Sequence, residues 1–114
     1  MTRLTARAAQ LFQPEQHQPL YQRAPARDED GRALGDFMVL IPGLRARPPH
    51  ELNESIARLR AVLLHFREVV FVDLNLPLNL LWVSHTPRPG VILELFGALR
   101  AQLPEARLVG HRWE

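Results

Sequence analysis

Two parts of the sequence repeat the same pattern, and this repeat constrains the fold more than any other feature. The dipeptide Arg-Pro at 47–48 recurs at 88–89, and LRAVL at 59–63 recurs as LRAQL at 99–103, at offsets of 41 and 40 residues. In each half, a short apolar run precedes an amphipathic stretch and another apolar run follows it. Each half therefore predicts a βαβ unit, which cannot bury its sheet face without the other half.

The strands are predicted from short apolar runs with strand-like periodicity. The runs span residues 37–41, 69–75, 79–85 and 106–113. Pro77 favours a turn between the second and third runs. The leucines from Leu74 to Leu80 alternate with polar residues, which indicates a hairpin with one apolar side.

Two helices are predicted from apolar residues at helical spacing. The first stripe contains Leu52, Ile56, Leu59, Leu63 and Phe66, and the second contains Ile92, Leu95, Phe96, Leu99 and Leu103. Pro48 and Pro49 suit the start of the first helix, and Pro104 ends the second. The resulting order, βαββαβ, predicts an α+β fold. We expect a ferredoxin-like sandwich, with a four-stranded antiparallel sheet and two helices on one face.

The chain is expected to consist of one domain behind an N-terminal arm. Residues 1–35 predict an extended arm, because prolines, glutamines and charges dominate its second half. An amphipathic pattern at 2–12 predicts a short helix that docks on a partner. Residues 36–114 form the ferredoxin-like domain. No apolar run reaches the length of a signal peptide or a membrane span, so we expect a soluble, cytoplasmic protein with no membrane partner.

The composition excludes several kinds of chemistry. There is no cysteine and all 14 basic residues are arginine, so disulfides, thiolate metal sites, a cysteine nucleophile and lysine Schiff bases are excluded. The formal net charge is only +2, and the central strands lack the aromatic platform of RNA-recognition modules. We expect no cofactor, no metal and no nucleic-acid partner.

The sheet face away from the helices is also expected to be buried. The runs FMVLI and VVFV are apolar at both alternating positions, whereas a strand with one wet face alternates with polar residues. Either the arm covers this face through Leu20 and Tyr21, or a second copy packs there in an isologous dimer. The dimer is favoured, because the face offers more apolar surface than the arm can shield. The expected interface residues are Val39, Val70, Val72 and Trp82.

A strand-to-helix junction, HTPRPGVILEL at residues 85–95, has the features of an anion site. Helix-start amides point outward there, and glycine lets a ligand approach the backbone. The predicted ligand-binding residues are Thr86, Arg88, Pro89, Gly90 and Val91, with a small carboxylate or phosphate as ligand. The alternative is that Pro89 and Gly90 only make the turn while Thr86 caps locally and Arg88 is solvated.

The stretch RPGVILELFGALRAQLPEARLVG, residues 88–110, resembles the strand–loop–helix signature of ACT domains. These are small-molecule regulatory modules of the βαββαβ fold in which a Pro-Gly pair opens the first helix. The resemblance implies that Pro89 and Gly90 occupy a ligand loop, with an amino acid or similar effector bound beside a dimer interface. Here Pro87 stands where the family commonly has an acid, and the match falls on the second helix.

The histidines offer a catalytic alternative. His85, at the end of the third predicted strand, is the candidate general acid–base, because an unperturbed imidazole titrates near neutral pH. His50 and Glu54 share a helix face, but no third ligand stands at metal-binding spacing. Three function classes therefore stay open: a dimeric ligand-binding module, a small enzyme that uses His85, and a protein-interaction domain that docks through its arm.

Overall fold

A computed structural model describes Arg27 and residues 29–109 of the chain. Its elements are β1 (Gly35–Leu40), α1 (Pro49–His65), β2 (Val69–Asn75), a 3-10 turn (Leu76–Leu78), β3 (Leu80–His85), α2 (Val91–Gln102) and β4 (Arg107–Val109). The fold is α+β, and the predicted order of helices and strands is present. No helix of this part of the chain is long and apolar enough to cross a membrane.

The four strands form one antiparallel sheet in the order β2-β3-β1-β4. The two strands in the centre, β3 and β1, come from different halves of the chain, and each half supplies one edge strand. Val83 illustrates the register, since it lies opposite Phe37 of β1 on one side and Val72 of β2 on the other. The halves therefore build a shared sheet, as the repeat predicts.

Both helices pack against the same face of this sheet, which we call the first face. The hydrophobic core consists of Phe37, Val39, Val72, Leu74, Leu81 and Val83 from the strands, Leu59, Leu63, Leu95 and Leu99 from the helices, and their neighbours. The predicted helix stripes are confirmed, because their remaining members are buried or pack against this core. Val91, the first residue of α2, is also in the core and is absent from the predicted stripe.

The opposite side of the sheet, the second face, follows from the register. One row across the three strands contains Met38, Trp82 and Asp73, and the next contains Asp36, Ser84 and Phe71. Two of the four residues predicted for a dimer interface do not lie here. Val39 and Val72 lie on the first face inside the core, where they are opposite Leu81 and Val83 of β3.

The other two predicted interface residues have different positions. Trp82 lies on the second face and is half-buried. Val70 is the extra residue of a β-bulge in β2, between Val69 opposite His85 and Phe71 opposite Ser84. A bulge of this kind twists an edge strand and reverses the alternation of its side chains, which no periodicity argument anticipates.

The predicted hairpin between β2 and β3, with its turn at Pro77, is present, but the prediction that its leucines lie on one side is wrong. Leu74 lies opposite Leu81 in the core, whereas Leu80 lies opposite Asn75 on the second face. The leucines between them form the 3-10 turn, where the Asn75 side chain accepts a hydrogen bond from Leu78 N at 3.2 Å. The turn ends at a left-handed residue, Asn79, so the period-two pattern does not continue through it.

Before β1, the chain makes a tight reversal. Arg27 forms an antiparallel bridge with Ala33, and its guanidinium donates to the Gly31 carbonyl oxygen at 2.8 Å. The predicted helix at 2–12, the arm residues Leu20 and Tyr21, and the end of the strand predicted at 106–113 lie outside the described residues. The described part of that last strand, β4, pairs with β1.

We predict that the shared core dominates stability. Leu99→Ala removes a side chain that is 0% exposed and should lower the free energy of unfolding by about 2–5 kcal/mol. Leu93→Ala is the matched control in the same helix, because Leu93 is 58% exposed, and its effect should stay within about 0.5 kcal/mol. Urea unfolding measures both changes, and equal losses would contradict the assignment of the core.

Candidate functional site

The Pro-Gly pair between β3 and α2 forms a tight turn. Gly90 has φ 78° and ψ 0°, and the Val91 amide donates to the Arg88 carbonyl oxygen at 3.1 Å. A proline followed by a glycine with positive φ, closed by this hydrogen bond, is the pattern of a type II turn. Because the Val91 amide is used within the turn, it is not available to a ligand. The predicted alternative, that these two residues make the turn, is therefore correct for their backbone.

Arg88 is held between two carboxylates. Its Nε donates to Glu68 Oε2 and its Nη1 to Glu94 Oε2, both at 2.7 Å. The hydrogen bonds to Glu94 and Glu68 raise the pKa of Arg88. The backbone amide of Glu68 and the Arg88 guanidinium lower the pKa of the Glu68 carboxyl below its ordinary value. Arg88 is therefore not merely solvated, and an incoming anion meets a guanidinium whose charge is already balanced.

A pocket of about 340 Å³ lies beside this turn. Its lining consists of His85, Pro87, Arg88, Gly90, Val91, Ile92 and Leu93. The structure thus brings three of the five predicted ligand-binding residues and the candidate histidine to one concave surface. Thr86 and Pro89 do not line it. The lining is mainly apolar apart from Arg88 and His85, so the pocket suits a small molecule with an apolar body.

His85 is a buried part of this site, with 3% of its surface exposed. Its Nδ1 donates to the Thr86 carbonyl oxygen at 3.1 Å, a contact that requires the Nδ1–H tautomer. Its Nε2 is shielded and has no hydrogen-bond partner within the described part of the chain. The ring also packs 5.7 Å from the Phe37 ring, measured between centroids. Neither nitrogen is presented to the pocket for proton transfer.

Gly35 makes room for this imidazole. A Cβ at Gly35 would lie 2.7 Å from Cε1 and 3.0 Å from Nε2 of His85, distances that real Cβ atoms do not tolerate without a shift. The two residues are opposite one another in the pairing of β1 with β3. Gly35 is thus required by the closeness of the ring and not by a special backbone conformation.

Sequence reasoning missed the partners of the site residues. Thr86 does not cap α2, since the N-cap residue is Gly90 and no side chain caps this helix. The Thr86 amide donates to the Glu68 carbonyl oxygen at 2.9 Å. Glu94, in the first turn of α2, could have been found from the preference of that position for acids. Glu68 and Gly35 carry no local signal, because only the strand order places them beside Arg88 and His85.

His50, which the sequence places on the same helix face as Glu54, is not part of a site. His50 and Glu54 are both exposed on α1, and Glu54 lies 4.0 Å from Arg58. Among the residues that the structure describes, no group of three potential metal ligands is present.

No family model, curated protein or solved structure matches this chain. The resemblance of residues 88–110 to ACT domains therefore stays a prediction, and the function has to be argued from the site itself.

We predict that the Arg88 ion pairs stabilise the fold in a pH-dependent way. A carboxyl whose pKa is lowered by folding stabilises the folded state at every pH above its pKa in the unfolded chain. This contribution is lost as the pH falls through its pKa in the folded chain. At neutral pH, Arg88→Ala should therefore lower the melting temperature by about 2–4 °C. The difference from wild type should shrink as the pH falls below the ordinary glutamate value of 4.5.

The control is Arg58→Ala, because Arg58 and Glu54 are more exposed and farther apart. This variant should change the melting temperature less at every pH. A deficit of Arg88→Ala that is constant between pH 3 and pH 7 would contradict an electrostatic role.

We also predict that the Gly35 and His85 positions are energetically coupled. Gly35→Ala should lower the free energy of unfolding by about 1–3 kcal/mol, because the buried ring must shift. In a His85→Ala background the same change should cost less, since the space is then vacant. A double-mutant cycle measured by urea unfolding gives the coupling, and additive effects would contradict it.

Proposed function

We propose that this chain is a ferredoxin-like module that binds a small organic anion in the pocket between His85 and the first turn of α2. The observation that carries the proposal is the pocket itself, with the Arg88 guanidinium in its lining. Its volume, about 340 Å³, falls within the range of about 300–1,000 Å³ that is usual for small-molecule sites.

The strand order and the shared core support the ferredoxin-like part of the proposal. Each edge strand is antiparallel to a central strand from the other half. Each helix connects two strands of its own half that have one strand of the other half between them. This interleaving is the arrangement expected when two βαβ units combine into one sheet.

A comparison of the two repeated arginines supports an anion beside Arg88. Arg47, the counterpart of Arg88, binds Glu105 at 2.7 Å and the hydroxyl of buried Ser55 at 2.5 Å. In the second half the place of the neutral hydroxyl is taken by Glu94, a carboxylate with an exposed side chain. Glu94 occupies the position on the guanidinium that a ligand carboxylate would take, so ligand and Glu94 compete.

The chemistry of the ligand follows from this competition. Its body must be apolar, to match the side chains of Val91, Ile92 and Leu93 around it. Its anionic group must bind Arg88 better than a surface side chain does, which a carboxylate or phosphate with two oxygens can do bidentately. An amino acid or a small organic acid, the effector type that the ACT resemblance implies, has this form.

The enzyme alternative has less support. A general acid–base must reach the proton that it moves, whereas both nitrogens of His85 face protein groups or lie shielded from solvent. The dimer through the second face and the cytoplasmic location stay predictions. With Val39 and Val72 in the core, the dimer prediction depends on Trp82 and the bulge residue Val70.

Binding to the pocket can be tested with a thermal-shift screen of amino acids and small organic acids, followed by calorimetric titration of any compound that stabilises the protein. We expect such a compound to raise the melting temperature through preferential binding to the folded state. Arg88→Ala should abolish binding. Glu94→Gln should tighten it about fivefold, which corresponds to about 1 kcal/mol for one competing charge near 4 Å in water.

Leu93→Glu, a change at an exposed pocket residue, should also prevent binding. Its matched control is Ala98→Glu on the same helix, which lines a separate groove between the helices and should leave the affinity unchanged. If no compound stabilises the wild type, the proposal fails. If a compound binds equally well to Glu94→Gln, its anionic group does not lie on Arg88.

A further inference from the structure

The second face of the sheet carries both apolar and acidic side chains. Its apolar residues are Met38, Leu40, Phe71, Leu80, Trp82 and Val109, and its charged residues are Asp36, Asp73 and Arg107. Both described helices lie on the first face, so neither helix covers this side.

Three residues of the second face are nevertheless buried. Phe71 is 4%, Asp73 is 6% and Ser84 is 2% exposed in a single chain. Phe71 and Asp73 belong to β2, an edge strand with a neighbour on one side only. Neighbouring strands alone cannot bury a side chain at the edge of an open sheet, so the burial of these residues requires a further layer over them.

We propose that residues 1–26 of the same chain form this layer. The reversal between Arg27 and Ala33 brings the end of this segment next to the start of β1. The bridge is antiparallel, so the chain at Arg27 runs opposite to the direction in which Ala33 leads toward β1. The next residues after Ala33 lead into β1 at Gly35, a central strand of the sheet. The segment therefore leaves Arg27 in the direction of the strands that need a cover.

The segment is long enough for this role. A helix of 26 residues would span about 39 Å, and an extended chain would span more. By comparison, β2 has 7 residues, and a strand of this length spans about 23 Å. The segment can cross the face with residues to spare.

The composition of the segment matches the face. Its larger apolar residues are Leu4, Leu11, Phe12, Leu20 and Tyr21. It carries Arg3, Arg7 and Arg23 against a single acid, Glu15, whereas the face carries two aspartates and one arginine. The segment therefore matches the face in both its apolar character and its charge.

Tethering favours this segment over a second copy of the chain. A docking segment linked by a short connection acts at an effective concentration in the millimolar range. A second copy must compete from its actual concentration in solution. Because Val39 and Val72 lie in the core, the apolar surface that favoured a dimer is also smaller than the sequence predicted.

The test uses the full-length chain, which has no cysteine of its own. A spin label is attached to a single cysteine in the variant Gln10→Cys, and Trp113→Phe leaves Trp82 as the only indole. We expect the NMR signals of the Trp82 indole N–H and the Met38 methyl to lose most of their intensity. The methyl of Ala101, on the exposed side of α2, is the internal control and should keep its intensity.

Two results would overturn the proposal. The first is an unchanged Trp82 signal, which would place the segment elsewhere. The second is a loss of the Trp82 signal in a mixture where the spin label and the isotope label are on different chains, which would show that a second copy supplies the cover. A loss confined to chains that carry both labels supports the proposal.

A second measurement does not depend on the label. In the Trp113→Phe background, the double change Leu11→Ser and Phe12→Ser should raise acrylamide quenching of Trp82 fluorescence at least twofold. Leu93→Ser, at an exposed position of α2, is the control and should leave the quenching unchanged. Equal quenching in all three proteins would contradict a cover made by this segment.

Discussion

The fold depends on the burial of one sheet face beneath two helices that come from different halves of the chain. Neither half can achieve this alone, because β3 contributes Leu81 and Val83 to a core whose other strand, β1, belongs to the first half. The chain has 114 residues, so it can bury only about two thirds of the surface exposed on unfolding. One continuous core is the arrangement that uses this limited burial best.

The arginines of the two repeated Arg-Pro dipeptides form equivalent ion pairs, each with a glutamate just before an edge strand. Arg47 precedes α1 and binds Glu105, which lies just before the edge strand β4. Arg88 precedes α2 and binds Glu68, which lies just before the other edge strand, β2. Each arginine thus joins the loop at the start of one helix to the loop at the end of the other. The repeated Arg-Pro dipeptide therefore marks a structural ion pair in both halves.

The difference between the halves lies in the second partner of each arginine. In the first half this partner is the hydroxyl of Ser55, which also donates to the Glu51 carbonyl oxygen and is buried. In the second half it is the carboxylate of Glu94, which solvent can reach. An exposed charge can be displaced at little cost, whereas a buried hydroxyl within a hydrogen-bond network cannot. This difference is the reason why the proposed ligand site is at Arg88 and not at Arg47.

Periodicity predicted the elements well, because stripes such as Leu59 with Leu63 and Leu95 with Leu99 are dictated by burial on one face. It failed where the backbone departs from regular geometry. The bulge at Val70 and the 3-10 turn at Leu76–Leu78 each change which side chains face the core. The junction at Gly90 could be predicted from proline and glycine. Its ion pairs could not, because Glu68 reaches Arg88 only through the strand order.

The start of β1 connects the pocket with the segment proposed to cover the second face. Gly35 lies against the imidazole of His85, and His85 lines the pocket. The reversal at Arg27 and Ala33 immediately precedes Gly35, so the segment joins the sheet at the strand end that holds this ring. No space is left for a side chain between Gly35 and this ring. The pocket and the proposed docking of the N-terminal segment therefore have Gly35 as a common neighbour.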